Sequence, residues 1–221
     1  MSSQPRRTLR YGALLGSLLV LALIVPLFQD TAVGSLAMDI VGTAILGAGV
    51  WAAGRSRRDL LILIALAILM TARWLPLSEH RTTVLVSAVS SIVFFWYVAI
   101  IILLDLAEAT EVRLDTIGGA LCGYAMIGIA WGSIYFVIAL LNRAAFTLPG
   151  PEPTYASLQS DFMRVMHYSL STLTTAGYES VRAQSLLTEN LSAIEAMVGQ
   201  FYIAVLVARL VSLQIMTRQS K

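Results

Sequence analysis

The stretch Thr172-Leu173-Thr174-Thr175-Ala176-Gly177-Tyr178-Glu179-Ser180 gathers three threonine hydroxyls, a glycine and an uninterrupted run of backbone carbonyls. A short extended segment of this kind can replace the water around a small cation. It does so when its carbonyls point one way and several copies contribute equal rings of oxygen. A threonine hydroxyl adds a ring at the inner end, and glycine permits the backbone angles that aim successive carbonyls together. The chemistry implied is dehydration and coordination of an ion, with no bond made or broken.

Enzymatic chemistry finds no comparable support. There is no metal-ligand cluster, phosphate loop or Ser/Cys nucleophile with a base at working distance in sequence. Ser169, Ser171 and Ser180 lie near His167, but the carbonyl segment already accounts for that neighbourhood. His80 and His167 are isolated, so no zinc site is expected. His167 reads more simply as a structural histidine than as a pH sensor.

The elements that must position this segment are apolar. Of 221 residues, 57% are hydrophobic and 13% charged, with mean hydropathy +0.78. A soluble domain carries about 25% charged residues, so roughly half the usual charge is missing. A net charge of +2, with no basic stretch interleaved with aromatics, excludes a nucleic-acid partner. The single cysteine, Cys122, lies in an apolar block and forms no intrachain disulfide.

Six apolar blocks cover residues 11–28, 33–53, 59–75, 83–104, 117–141 and 191–216. Each is near the ~20 residues that a helix needs to cross a bilayer. The first, behind Arg6, Arg7 and Arg10, is longer than a signal-peptide core and reads as a helix that stays. Residues 155–173 are too polar to span and suggest a re-entrant helix, with Ser160 or Asp161 as its N-cap. Arginines before the first block and between the second and third, with Arg218 and Lys221 after the last, share one side. That places both termini in the cytoplasm of a multi-pass cell-membrane protein. The linker 105–115 falls on the same side and is acidic, through Asp105, Glu108, Glu111 and Asp115. The chain is expected to end shortly after the sixth helix, without a small-molecule ligand domain.

The Thr174-Thr175-Ala176-Gly177-Tyr178 string resembles the Thr-Val-Gly-Tyr-Gly selectivity filter of potassium channels. Thr172-Leu-Thr is similar to the threonine-rich end of that family's pore helix. The run from Glu195 to Leu210 is similar to the inner helix of small prokaryotic potassium channels. The resemblance is specific over residues 155–213 and architectural before that. It implies a six-transmembrane, one-pore channel: an all-α membrane protein with six transmembrane helices, a re-entrant pore helix and a filter. A homotetramer in lipid would pass K+, with no cofactor besides the permeant ion. Residues 1–116 would form a peripheral four-helix bundle with the acidic linker, and 117–221 the pore domain. Thr175, Ala176, Gly177 and Tyr178 would hold K+.

The fourth block contains no Lys or Arg, so a charged voltage sensor is not expected. Ala176 stands where the family has valine, and Ser180 where an aspartate commonly follows. Glu179 replaces the last glycine, and fourfold repetition would ring the outer mouth with carboxylates able to gather cations. A weakly selective cation channel and a non-conducting channel-like subunit are the alternatives. Glu195, inside the sixth block, is expected to brace the pore helix by a hydrogen bond. Gly199 falls where the family has its gating hinge. Arg209 is expected to snorkel to the interface, and Trp51 and Trp74 to anchor there. The pairs Gly12/Gly16, Gly119/Gly123 and Gly128/Gly132 are expected to pack helices within one subunit.

Overall fold

The computed structural model describes residues 10–23, 32–54, 56–71, 81–110, 114–148, 155–177 and 181–219. Its secondary structure is helical: α1 Arg10–Leu23, α2 Ala32–Ala53, α3 Arg57–Thr71, α4 Arg81–Glu108, α5 Leu114–Leu141, α6 Tyr155–Leu173 and α7 Leu186–Gln219. Among the described residues there is no strand, only an isolated antiparallel bridge between Phe146 and Ala183.

Among the described residues three helices are long and apolar enough to cross a membrane: Thr82–Glu108 in α4, Leu114–Leu141 in α5 and Leu186–Leu213 in α7. As described, α1 and α3 have 14 and 15 residues, short of the ~20 that a span needs. The block at 11–28 continues into residues outside the described ones. Inside the protein, 56% and 61% of the apolar windows of α4 and α5 are buried, against 11% for α7. Phe201, Val205 and Val207 are all more than half exposed. An apolar helix this bare needs lipid or another chain around it.

The described residues fall into two compact units. The first draws on residues 1–64, 98–125 and 210–221. Here α1 lies against α2, and Tyr11 ties three helices together. Its hydroxyl donates to Asp105 Oδ2 over 2.8 Å, and its backbone carbonyl accepts from the Cys122 thiol. A Cβ at Gly119 would stand 3.1 Å from the Tyr11 ring. Asp105 therefore lies within α4, which runs to Glu108, and Asp115 opens α5. The acidic linker expected at 105–115 is shorter, because a tyrosine hydroxyl satisfies the first of its carboxylates inside the helix packing.

The second unit draws on residues 65–97 and 126–209. Here α5, α6 and the first part of α7 enclose an aromatic cluster. The rings of Tyr135, Phe146 and Tyr168 meet edge to face, with centroids 5.3–5.6 Å apart. Gly128 and Gly132 on α5 admit α6 closely. Added Cβ atoms there would come within 2.7 Å of Leu170 Cδ2 and 2.6 Å of Met166 Sδ. At Gly12 and Gly16 an added Cβ would meet nothing within 4 Å, so the expected packing at that pair is not found among the described residues.

Candidate functional site

The site starts where α6 ends. The Thr175 N–H donates to Thr172 O and the Ala176 N–H to Ser171 O, both over 2.9 Å. This pair of bonds is the Schellman C-cap, whose seat just past the helix takes a left-handed residue, usually glycine. Here the seat holds Thr175 at φ 56°, and Gly177 follows at φ 72°. A β-branched residue in this region is rare, at a cost of about 1–2 kcal/mol. The turn swings the chain off the helix axis. Among the described residues no hydrogen bond ends on the carbonyl oxygens of Thr174, Thr175, Ala176 or Gly177. The four residues are exposed. Four successive carbonyls that accept no bond among the described residues thus stand at the C-terminal, negative end of a helix, an arrangement that favours a cation. Tyr178 and Glu179, the rest of the predicted oxygen ladder and its outer mouth, lie outside the described residues.

One face of α7 supports this end of α6. Thr188, Ser192, Glu195 and Gly199 fall at steps of four, three and four, which align on a helix. Glu195 is fully buried. Its Oε2 accepts from the Tyr135 hydroxyl on α5 over 2.7 Å, and its Oε1 lies 2.5 Å from Ser169 Oγ on α6. Ser169 Oγ is also 2.7 Å from the carbonyl of Gly128. One carboxyl group therefore links three helices. One turn above, Ser192 Oγ lies 2.6 Å from the Tyr168 hydroxyl and donates to Thr188 O. One turn below, Gly199 is buried against the last turn of α6. A Cβ there would overlap the carbonyl of Leu173. Beside it, Gln200 Nε2 donates to Thr175 Oγ1 over 3.3 Å.

Loops fix the outer side. Thr147 and Arg182 exchange bonds, Thr147 N–H to Arg182 O at 3.0 Å and Arg182 N–H to Thr147 Oγ1 at 2.7 Å. The Gln184 N–H donates to Ala145 O. Ser185 caps α7 through its hydroxyl and the Thr188 N–H, so α7 starts five residues before the apolar block at 191. The expected N-cap of α6 is corrected. The helix begins at Tyr155, and Asp161 lies within it, paired with Arg143 over 2.6 Å. Buried as it is, this carboxylate takes a guanidinium rather than helix N–H groups, which inside a helix are already bonded.

Ser171 Oγ and Thr172 Oγ1 are buried and have no hydrogen-bond partner among the described residues. They face an open cavity of about 520 Å3, also lined by Tyr168, Thr175, Gly177 and Ser192. His167 is exposed on α6, and the described residues hold no cluster of three or more acids, histidines or cysteines. Arg209 is half-buried and Trp51 exposed, while Trp74 lies outside the described residues.

The structure thus brings Thr174–Gly177, Glu195 and Gly199 around one helix end. Sequence reasoning missed Tyr135, Ser169, Ser192 and Gln200. A buried acid in an apolar helix demands donors, and the 4–3–4 spacing on α7 marks the face that meets them. No family model matches the chain, and neither a curated protein nor a solved structure matches it.

Proposed function

We propose that four copies of this chain form a potassium-selective pore through which K+ passes down its gradient, in the manner of the six-transmembrane potassium channels it resembles. The observation that carries the reading is the run of four carbonyls at Thr174–Gly177 that accept no hydrogen bond among the described residues, at and beyond a left-handed cap at the end of α6. Carbonyl rings of this kind replace a cation's hydration shell, and Thr175 adds a hydroxyl ring at the inner end. Fourfold assembly also supplies what a single chain lacks. The bare face of α7 gains neighbours. Glu195 braces the assembly from behind and Gly199 brings α7 up to the filter. The membrane course follows the six apolar blocks, with both termini cytoplasmic.

Glu179 favours a second reading. Without the last glycine the outermost carbonyl is left to a residue that strains at positive φ, which loosens selectivity and makes a weakly selective cation channel. Purified protein in liposomes, assayed for K+ and Na+ flux and for block by Ba2+, separates the readings. K+ flux well above Na+ flux supports the first and comparable fluxes the second. Absence of any flux leaves a non-conducting subunit.

A further inference from the structure

We propose that Gln200 is a positioning residue of the innermost cation site that tunes ion release by acting on the hydroxyl of Thr175. The inference rests on the pore reading of Thr174–Gly177 and adds to it a residue outside the filter string.

Four observations meet at this point. Gly199 lets α7 close on the Leu173 carbonyl, which brings the next residue up to the start of the left-handed turn. From there Gln200 Nε2 donates to Thr175 Oγ1 over 3.3 Å. Both side chains are exposed, so apolar packing does not account for the pairing. Among the described residues Thr175 Oγ1 has no other protein partner.

The consequence follows from lone pairs. A hydroxyl oxygen has two, and a carboxamide nitrogen offers only donors. The Gln200 N–H takes one lone pair, fixes the direction of the other, and sets its own partial positive charge beside the place of the cation. Binding at the Thr175 ring is thereby weaker than a free hydroxyl would give. Conduction needs such a compromise, because an ion held too well at the inner end does not leave. Gln200 thus tunes release from the innermost site without being a ligand.

The test uses full-length protein in planar bilayers, with Ba2+, a divalent ion of potassium's size, applied on the side of the α7 C-terminus. Gln200→Leu removes the donor, and Gln200→Asn keeps a polar group but withdraws it from reach. Both are expected to tighten Ba2+ block roughly three- to tenfold, the range of one hydrogen bond. In a Thr175→Ala background Gln200→Leu is expected to add nothing, whereas in Thr175→Ser the shift persists. The thermal shift of the detergent-solubilised protein with Ba2+ reads the same site for any variant that loses current. Unchanged block in Gln200→Leu overturns the inference while leaving the pore intact, as does an equal shift with and without the Thr175 hydroxyl. Wild-type protein that passes no K+ overturns the pore reading, and this assignment with it.

Discussion

Glu195 Oε1 lies 2.5 Å from Ser169 Oγ, and the same serine oxygen is 2.7 Å from the carbonyl of Gly128. Ser169 has one proton for two oxygens, and Tyr135 fills the other side of the carboxyl at 2.7 Å. Glutamine at 195 matches this demand. Its carbonyl accepts from Tyr135, and its amide donates to Ser169, which is then free to donate to Gly128. Glu195→Gln is therefore expected to keep wild-type melting temperature and flux. Glu195→Ala leaves Ser169 to donate to Gly128 but leaves the buried Tyr135 hydroxyl with only Ser192 Oγ, 3.4 Å away, and is expected to cost about 1–3 kcal/mol. Thermal unfolding in detergent, run with flux assays, checks both. Equal loss in the two variants would refute the bonding scheme.

Gly199 offers a separation of packing from hinging. A methyl at this position meets the Leu173 backbone rather than a flexible side-chain end. Gly199→Ala is expected to lose about 1–3 kcal/mol of stability as overpacking. A pure hinge predicts the opposite, since alanine is the better helix former by about 1 kcal/mol. Gly12→Ala and Gly16→Ala, where the added methyl meets open space, serve as controls and are expected to be neutral or slightly stabilising. Chemical denaturation of the four proteins decides the matter.

At Thr175 the backbone and the hydroxyl can be told apart by comparing two variants that both lack oxygen. Glycine suits φ 56°, while alanine keeps a Cβ in the left-handed region. Thr175→Gly is expected to be more stable than Thr175→Ala by about 1 kcal/mol. Both are expected to bind K+ more weakly than wild type, read as loss of K+-dependent thermal stabilisation. Equal stability of the two would show that this backbone strain does not exist.

How much of this was legible beforehand depends on whether a feature is local. The end of α6 at residue 173 followed from nearby sequence, because threonine and glycine content changes there abruptly. Caps were less readable. Asp161 has the right residue type for an N-cap, but Arg143 lies 18 positions away and claims it. Tyr11 and Asp105, 94 positions apart, show the same limitation. The left-handed threonine was hidden for another reason. Nothing in its side chain asks for positive φ, and the two bonds of the helix cap impose it. Of six apolar blocks, three give helices of span length among the described residues. Hydropathy finds the apolar stretch but not where hydrogen bonding stops.

The Arg143–Asp161 pair closes the loop after α5 onto α6, with side chains only 16% and 5% exposed. Removing Arg143 strands the buried carboxylate of Asp161, and Arg143→Ala is expected to cost about 3 kcal/mol, Asp161→Ala less. The double variant is expected to cost less than the sum, because neither charge is left alone. A double-mutant cycle on melting temperature measures the coupling, and simple additivity would deny it.

Glu179 lies outside the described residues, so its prediction rests on sequence and fourfold repetition. Four carboxylates around one opening raise the local concentration of cations and suit a divalent ion, whose hard charge prefers several oxygen ligands. External Ca2+ is therefore expected to inhibit K+ flux in wild type, and Glu179→Gly to weaken that inhibition by about tenfold or more. The same variant restores glycine where the filter turns outward. If Glu179 is what loosens selectivity, reversal potentials in mixed K+ and Na+ should move towards the K+ limit in Glu179→Gly. If the inner rings alone set selectivity, the reversal potential should stay where it is while the Ca2+ sensitivity falls. The two readouts are independent because one reports a charge at the mouth and the other the backbone behind it.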